Sequence, residues 1–267
     1  MEQVVQPRLA DLETIARQAM VEHGLEPNFP PEVANEVSRL APPDLSGAGI
    51  RDLRGLPWSS IDNDDTRDLD QLTVAQPAEG GSDRILVAIA DIAALVAPDS
   101  AIDRHARANT TSVYTPAVVF PMLPERLSTD LTSLNAGEDR LAVVVDITVD
   151  LNGAVGAVDL YRALVHNHAK LAYGGVADWL DGTAPPPAAL ASVPELDAQL
   201  RTQDAAASRL RVRRYEFGAL DIETVRARPV VKDGIVVGLE GEGTSRSRQL
   251  IRGRHDRRER GHRALPP

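Results

Sequence analysis

The chain has 267 residues, 43% of them hydrophobic and 25% charged, an ordinary composition for a globular protein. It has no cysteine, which excludes a disulfide framework and thiolate chemistry, and its net charge of -10 argues against a generally basic, nucleic-acid-like surface. The most apolar run, ILVAIADIAALVA, is broken by Asp91 and is too short to cross a membrane.

Along the chain, the start MEQVVQPRLADLE has acids and no apolar core, so it does not read as a signal peptide, and a cytoplasmic protein is expected. Leu9, Leu12, Ile15, Ala16 and Met20 recur at helical spacing and predict a helix over 8–24. Pro27, Pro30 and Pro31 break it; a short helix is expected at 31–40, then a Pro- and Gly-containing linker to Pro57. The first half of 84–97 reads as a buried strand, and Asp99 or Ser100 can cap a helix running to Asn109. Two strands, 141–149 and 154–165, flank the turn DLNG and predict a hairpin. TAPPPAALA at 183–191 reads as a loop, 192–216 as a long amphipathic helix, and 230–240 as a second hairpin around Asp233-Gly234. Strands and helices mix without strict alternation, so the expected fold class is α+β.

Residues 60–71 read SIDNDDTRDLDQ, with five aspartates and Asn63. Three readings compete. Asp and Asn favour solvated turns because their side chains bond the local backbone. An EF-hand fails, because Arg67 stands where the loop needs Gly and Thr73 where it needs Glu. A magnesium site remains open: hard oxygen ligands suit a hard cation, Asp68 and Asp70 point to one side of an extended segment, and Asp62 can return across a turn. A cation there would also relieve the repulsion among the carboxylates.

SIDNDDTRDLDQ resembles the aspartate motif that opens the RNB catalytic domain of the ribonuclease II and ribonuclease R family. TSVYTP, FPMLPERLS, LTSL and HNHAKLAYGGVADWL follow in the family's order, and the resemblance covers about residues 55–250. It implies an RNB-like fold and a hydrolytic 3′→5′ exoribonuclease that uses Mg²⁺ and releases nucleoside 5′-monophosphates from single-stranded RNA. By motif, Asp62, Asp68 and Asp70 match three of the four metal-site aspartates, with Asp68 and Asp70 catalytic and Asp70 the one most tied to chemistry. Gln71 stands in the place of the fourth; its amide supplies an oxygen but no charge. Tyr114 matches a tyrosine that stacks on bases near the RNA 3′ end, and Tyr173 a substrate-side tyrosine. Read without the family, Tyr114 is a core tyrosine with a bonded hydroxyl. Asp91 is expected to be structural, and His105, His166 and His168 lack a metal-ligand spacing.

The resemblance also implies a division of the chain: a helical lead-in at 1–45, a partial RNB domain at 46–250, and a tail at 251–267. The family's later catalytic segment, its cold-shock pair and its OB-fold are not matched. The alternatives to an active exoribonuclease are a non-catalytic RNA-binding fragment and a non-functional product; the oligomeric state is left open. From Arg246 onward the chain carries eight Arg against two acids. Such a tail suits RNA electrostatically. In the family, however, QLI is followed by an apolar helix of the type IEDVMIAANGATARYL, and codons compatible with the observed tail read that helix after a one-base shift. Residues 252–267 are therefore expected to be out of frame. Resequencing across the codon for Ile251 should reveal the shift; an unbroken frame with no family-like continuation in any frame would remove it.

Overall fold

The computed structural model describes residues 8–115, 117–219, 226–232 and 234–242. The tail at 251–267 and Asp233 lie outside the described residues. The helical lead-in forms as expected, as α1 (Leu9–Glu22) and α2 (Pro31–Arg39), the second begun by Pro31, whose fixed φ suits a first helical turn. The body is a mixed seven-stranded sheet. Its strands are β1 (Arg51–Asp52), β2 (Ser59–Asp62), β3 (Gln71–Pro77), β4 (Asp83–Ala90), β7 (Asp139–Val149), β8 (Val155–His166) and β9 (Ala169–Ala172). The order is β1-β8-β7-β4-β3-β2-β9. Neighbours run antiparallel from β8 to β2, while the outer strands β1 and β9 are parallel to theirs. A separate two-stranded ribbon, β5 (Val113–Tyr114) with β6 (Val119–Phe120), follows α3 (Ala101–Asn109). Ser100 caps α3, its hydroxyl accepting from the Asp103 N–H.

Strand alternation sorts the side chains to two faces. One face buries Trp58, Leu72, Val74, Leu86, Ala88, Val144, Ala163 and Val165, with Leu69 and Leu134 joining from loops. The other takes Ile61 and Leu171 against α4 (Tyr173–Leu180), α5 (Ala188–Ala191) and α6 (Leu196–Glu216). A third core joins Val33 of α2, Ile102 of α3, and Leu127 and Leu131 of the helical segment Arg126–Leu131.

The long helix starts at Leu196 rather than 192, after the single turn α5, and its buried side is partly polar: Gln199, Gln203, Asp204 and Arg211 are among its buried residues. That departure from an amphipathic helix has a reason. β2 pairs with β3 at Ser59 and Thr73, and the Gln199 amide oxygen accepts the Ala75 N–H at 2.9 Å farther along the strand. The same amide donates to Pro57 O at 3.1 Å. At its other end α6 meets the β7–β8 turn. Arg209 donates through Nε to Asp150 O at 3.0 Å and pairs with Asp83. Gly153, with φ +74°, lies so close that a Cβ would stand 2.3 Å from Arg209 O. The second hairpin, β10 (Arg226–Lys232) with β11 (Ile235–Glu242), forms as expected and bridges from Ile235 to Arg8 beside α1.

Candidate active site

The aspartate segment links β2 to β3, the two strands nearest the edge strand β9. Asp62 ends β2, across from Ala172 at the end of β9. Its Oδ1 accepts from Asn63 N at 2.7 Å and from Thr66 Oγ1 at 3.0 Å, folding residues 62–66 into a turn that Thr66 N closes onto Asn63 O. Lys170 of β9 reaches over this turn, its ammonium donating to Asp64 O at 3.1 Å and Thr66 O at 2.6 Å. A cation thus covers the carbonyls of a turn crowded with carboxylates.

Residues 67–70 are then pinned to neighbouring chain at successive positions. Ser133 Oγ lies 3.0 Å from both Arg67 O and Leu69 N. Leu134 N donates to Leu69 O at 2.8 Å, and Ala90 N to Asp70 O at 2.9 Å. Asn167, fully buried, donates to Leu134 O and Ser60 Oγ and so ties the Ser133–Leu134 segment to β2. Leu69 is 3% exposed, among Trp58, Leu72 and Leu134, and its burial sends Asp68 and Asp70 outward on either side.

The electrostatics place three carboxylates in one field. Burial raises the Asp70 carboxyl above the usual carboxylate range, and the charges of Asp62 and Asp68 raise it further, against a lowering by its own backbone N–H. Tyr114 faces the same group from the β5–β6 ribbon. Its hydroxyl is pushed up by burial first and then by Asp68, Asp70 and Asp62, although the residue as a whole is 71% exposed. It is not the core tyrosine that its type alone suggests. Tyr173 opens α4, half-buried against the core formed by Ile61 and Leu171. Gln71 pairs with Ile89, and alternation registers it with Thr73 and Ser59, on the sheet face opposite to the one Asp62 addresses.

Among the described residues, no three His, Cys, Asp or Glu side chains stand close enough to enclose an ion. The donor set still fits Mg²⁺ chemically. That ion is commonly held by one or two carboxylates, with water and substrate phosphate completing the octahedron. Asp62, Asp68 and Asp70 supply hard oxygens within mutual electrostatic reach.

The other sequence candidates have structural partners, as expected of them. Asp91 is buried and accepts from Arg162 Nε at 2.6 Å. His105 lies 2.9 Å from Glu26, His166 2.6 Å from Asp139, and His168 2.9 Å from Arg54 O. Ser133, Asn167 and Lys170 are the residues that sequence reasoning missed. Each lies in a segment that carries the resemblance, but its bond to the aspartate segment or its anchor spans 33 or more positions.

Comparisons with known proteins identify the family of the whole span that holds this segment. The RNB domain matches residues 50–253, and the chain belongs to that family. It is 37% identical over 209 residues to ribonuclease R of Vibrio cholerae, covering 77% of this chain and 25% of that protein. It is 40% identical over 166 residues to ribonuclease R of Escherichia coli, covering 61% of this chain and 20% of that protein. Mycoplasma genitalium RNase R, solved in complex with ribose methylated single-stranded RNA, superposes with a TM-score of 0.82 at 25% identity. That match covers 91% of this chain and 38% of the other. The chain thus spans a quarter or less of the length of these two curated relatives.

A carboxyl whose pKa rises on folding destabilises the fold wherever it is ionised. The penalty is absent below the unfolded value, about 3.9, and grows as pH rises through the folded one. Asp70→Asn should therefore raise the melting temperature at pH 7 in EDTA, and the gain should vanish below about pH 4. Thermal unfolding of both proteins at the two pH values checks this; a loss of stability at pH 7 would contradict it.

Proposed function

We propose that this chain carries the metal-binding half of a 3′→5′ exoribonuclease site that hydrolyses single-stranded RNA to nucleoside 5′-monophosphates. The observation that carries the reading is the meeting of Asp62, Asp68 and Asp70 with Tyr114, inside the span that matches the RNB domain. A relative of the same fold was solved with single-stranded RNA bound.

In this reading Asp62, Asp68 and Asp70 hold Mg²⁺, while Gln71, on the other face of the sheet, adds neither charge nor ligand. The ion supplies charge neutralisation at the scissile phosphate and activation of the attacking water when bound. Asp68 and Asp70 would be the catalytic carboxylates, and Asp70, held among the charges of Asp62 and Asp68, the one most tied to the chemistry. The open ring of Tyr114 offers a stacking surface that any base can use, which holds a strand without selecting its sequence. Tyr173, at the head of α4, would be a further contact for the RNA strand. The working unit is the RNB span, 46–250, behind the helical lead-in, in the cytoplasm, with the tail from 251 out of frame.

A second reading, a non-catalytic RNA-binding chain, is favoured by the neutral Gln71 and by the open arrangement of the carboxylates. The two separate on metal dependence. With a 5′-labelled single-stranded RNA, stepwise 3′ shortening is expected with Mg²⁺ and not with EDTA, slowed about 100-fold or more in Asp70→Asn. Binding without shortening in Mg²⁺ would leave the second reading. Tyr114→Ala should weaken single-strand binding by about 1–3 kcal/mol, while Tyr114→Phe retains it, as fluorescence anisotropy can measure.

A further inference from the structure

We propose that Ser133 is the positioning residue for Asp68, and that it sets the affinity of the site for its divalent cation. The inference rests on reading Asp62, Asp68 and Asp70 as the carboxylates that hold Mg²⁺.

The geometry is specific to Asp68. The peptide group before it presents the Arg67 carbonyl, and the one after it the Leu69 N–H. Both meet the same oxygen, Ser133 Oγ, at 3.0 Å. The hydroxyl accepts from Leu69 N, and its proton is directed between Arg67 O and Asn135 Oδ1, which is also 3.0 Å away. The angle between the two peptide planes around a residue is set by its φ and ψ. A single atom that grips both planes therefore fixes the backbone of Asp68, and with it the direction of the carboxylate. Asp70 is held differently, by backbone bonds from Leu134 N to Leu69 O and from Ala90 N to Asp70 O. Of the two, Asp68 is the one whose flanking peptide groups are both bonded to a side chain outside the motif.

The grip is rigid. Ser133 is 1% exposed and Leu69 3%, so bulk water does not replace the hydroxyl. The next residue, Leu134, is anchored through its carbonyl by the buried Asn167 at 2.7 Å. Without the hydroxyl, a buried N–H would lack its acceptor, a state folded chains avoid by shifting. The segment that would shift is the one that carries Asp68.

Titration calorimetry of the full chain with MgCl₂ alone, on wild type, Ser133→Ala, Thr132→Ala and Asp70→Asn, tests the proposal. Thr132→Ala is the matched control: it removes the adjacent buried hydroxyl, which bonds Leu127 O at 2.9 Å and does not touch the aspartate segment. Both alanine variants should melt earlier than wild type. Ser133→Ala should bind Mg²⁺ about 10-fold more weakly or worse, the range for groups that orient metal ligands, while Thr132→Ala keeps wild-type affinity. Ser133→Cys, close in volume with a weaker donor, carries the same comparison if the alanine variant does not fold. Wild-type affinity in the Ser133 variant, beside loss in Asp70→Asn, overturns the proposal alone. A wild type that binds no Mg²⁺, or an Asp70→Asn that binds as tightly, overturns the reading of the site and this proposal with it.

Discussion

Everything at this site depends on the burial of Leu69 between two aspartates. Two unit charges about 4 Å apart repel by roughly 1 kcal/mol in water and by roughly 4 kcal/mol at the effective dielectric near a protein surface. Burying one leucine returns about 1.5–3 kcal/mol, and each backbone hydrogen bond about 1 kcal/mol. The terms are of one size. A leucine in the core and bonds to Ser133, Leu134 and Ala90 are therefore enough to hold carboxylates that would otherwise separate. The raised Asp70 pKa reflects its burial first, and after that the repulsion from Asp62 and Asp68 that this arrangement does not remove.

The sheet supplies the rest of the positioning. β2 and β3 are flanked by β9 and β4, so the segment between them starts and ends on strands that are paired on both sides. Lys170 stands on β9 two residues before the one opposite Asp62, and this places its ammonium over the turn. Tyr114 comes from outside the sheet, on a two-stranded ribbon whose connection is tightened by Thr115 bonding Val118 in both directions. The aspartates are thus held by the core, whereas the exposed ring of Tyr114 is carried by a light appendage at their rim.

The parts legible in sequence are those with local causes. The β7–β8 hairpin follows from alternating apolar residues around Asp150-Leu-Asn-Gly153, and α3 from a serine cap and its periodicity. β2 and β9 escaped because each is four residues long and owes its pairing to a parallel partner more than a hundred positions away. β3 is hidden for another reason: it begins inside an aspartate-rich stretch that reads as a turn. The polar side of α6 defeated the amphipathic expectation because Gln199 serves as an acceptor for a strand, a role that periodicity does not encode. At the site, SIDNDDTRDLDQ announces its carboxylates by type and spacing. The side chains that fix them, Ser133 and Lys170, are a lone hydroxyl and a lone lysine until the fold brings them in.

The two attachments of α6 give the helix a mechanical meaning. Near one end it is stitched to β3 and to the entry of β2 through Gln199; near the other it grips the β7–β8 turn and the start of β4 through Arg209, with no room for a side chain at Gly153. A helix fastened at both ends across a twisted sheet works as a strut. The two halves of the sheet cannot splay without tearing one of its anchorages, so heat or denaturant should dismantle strands and strut together rather than peel them apart in stages.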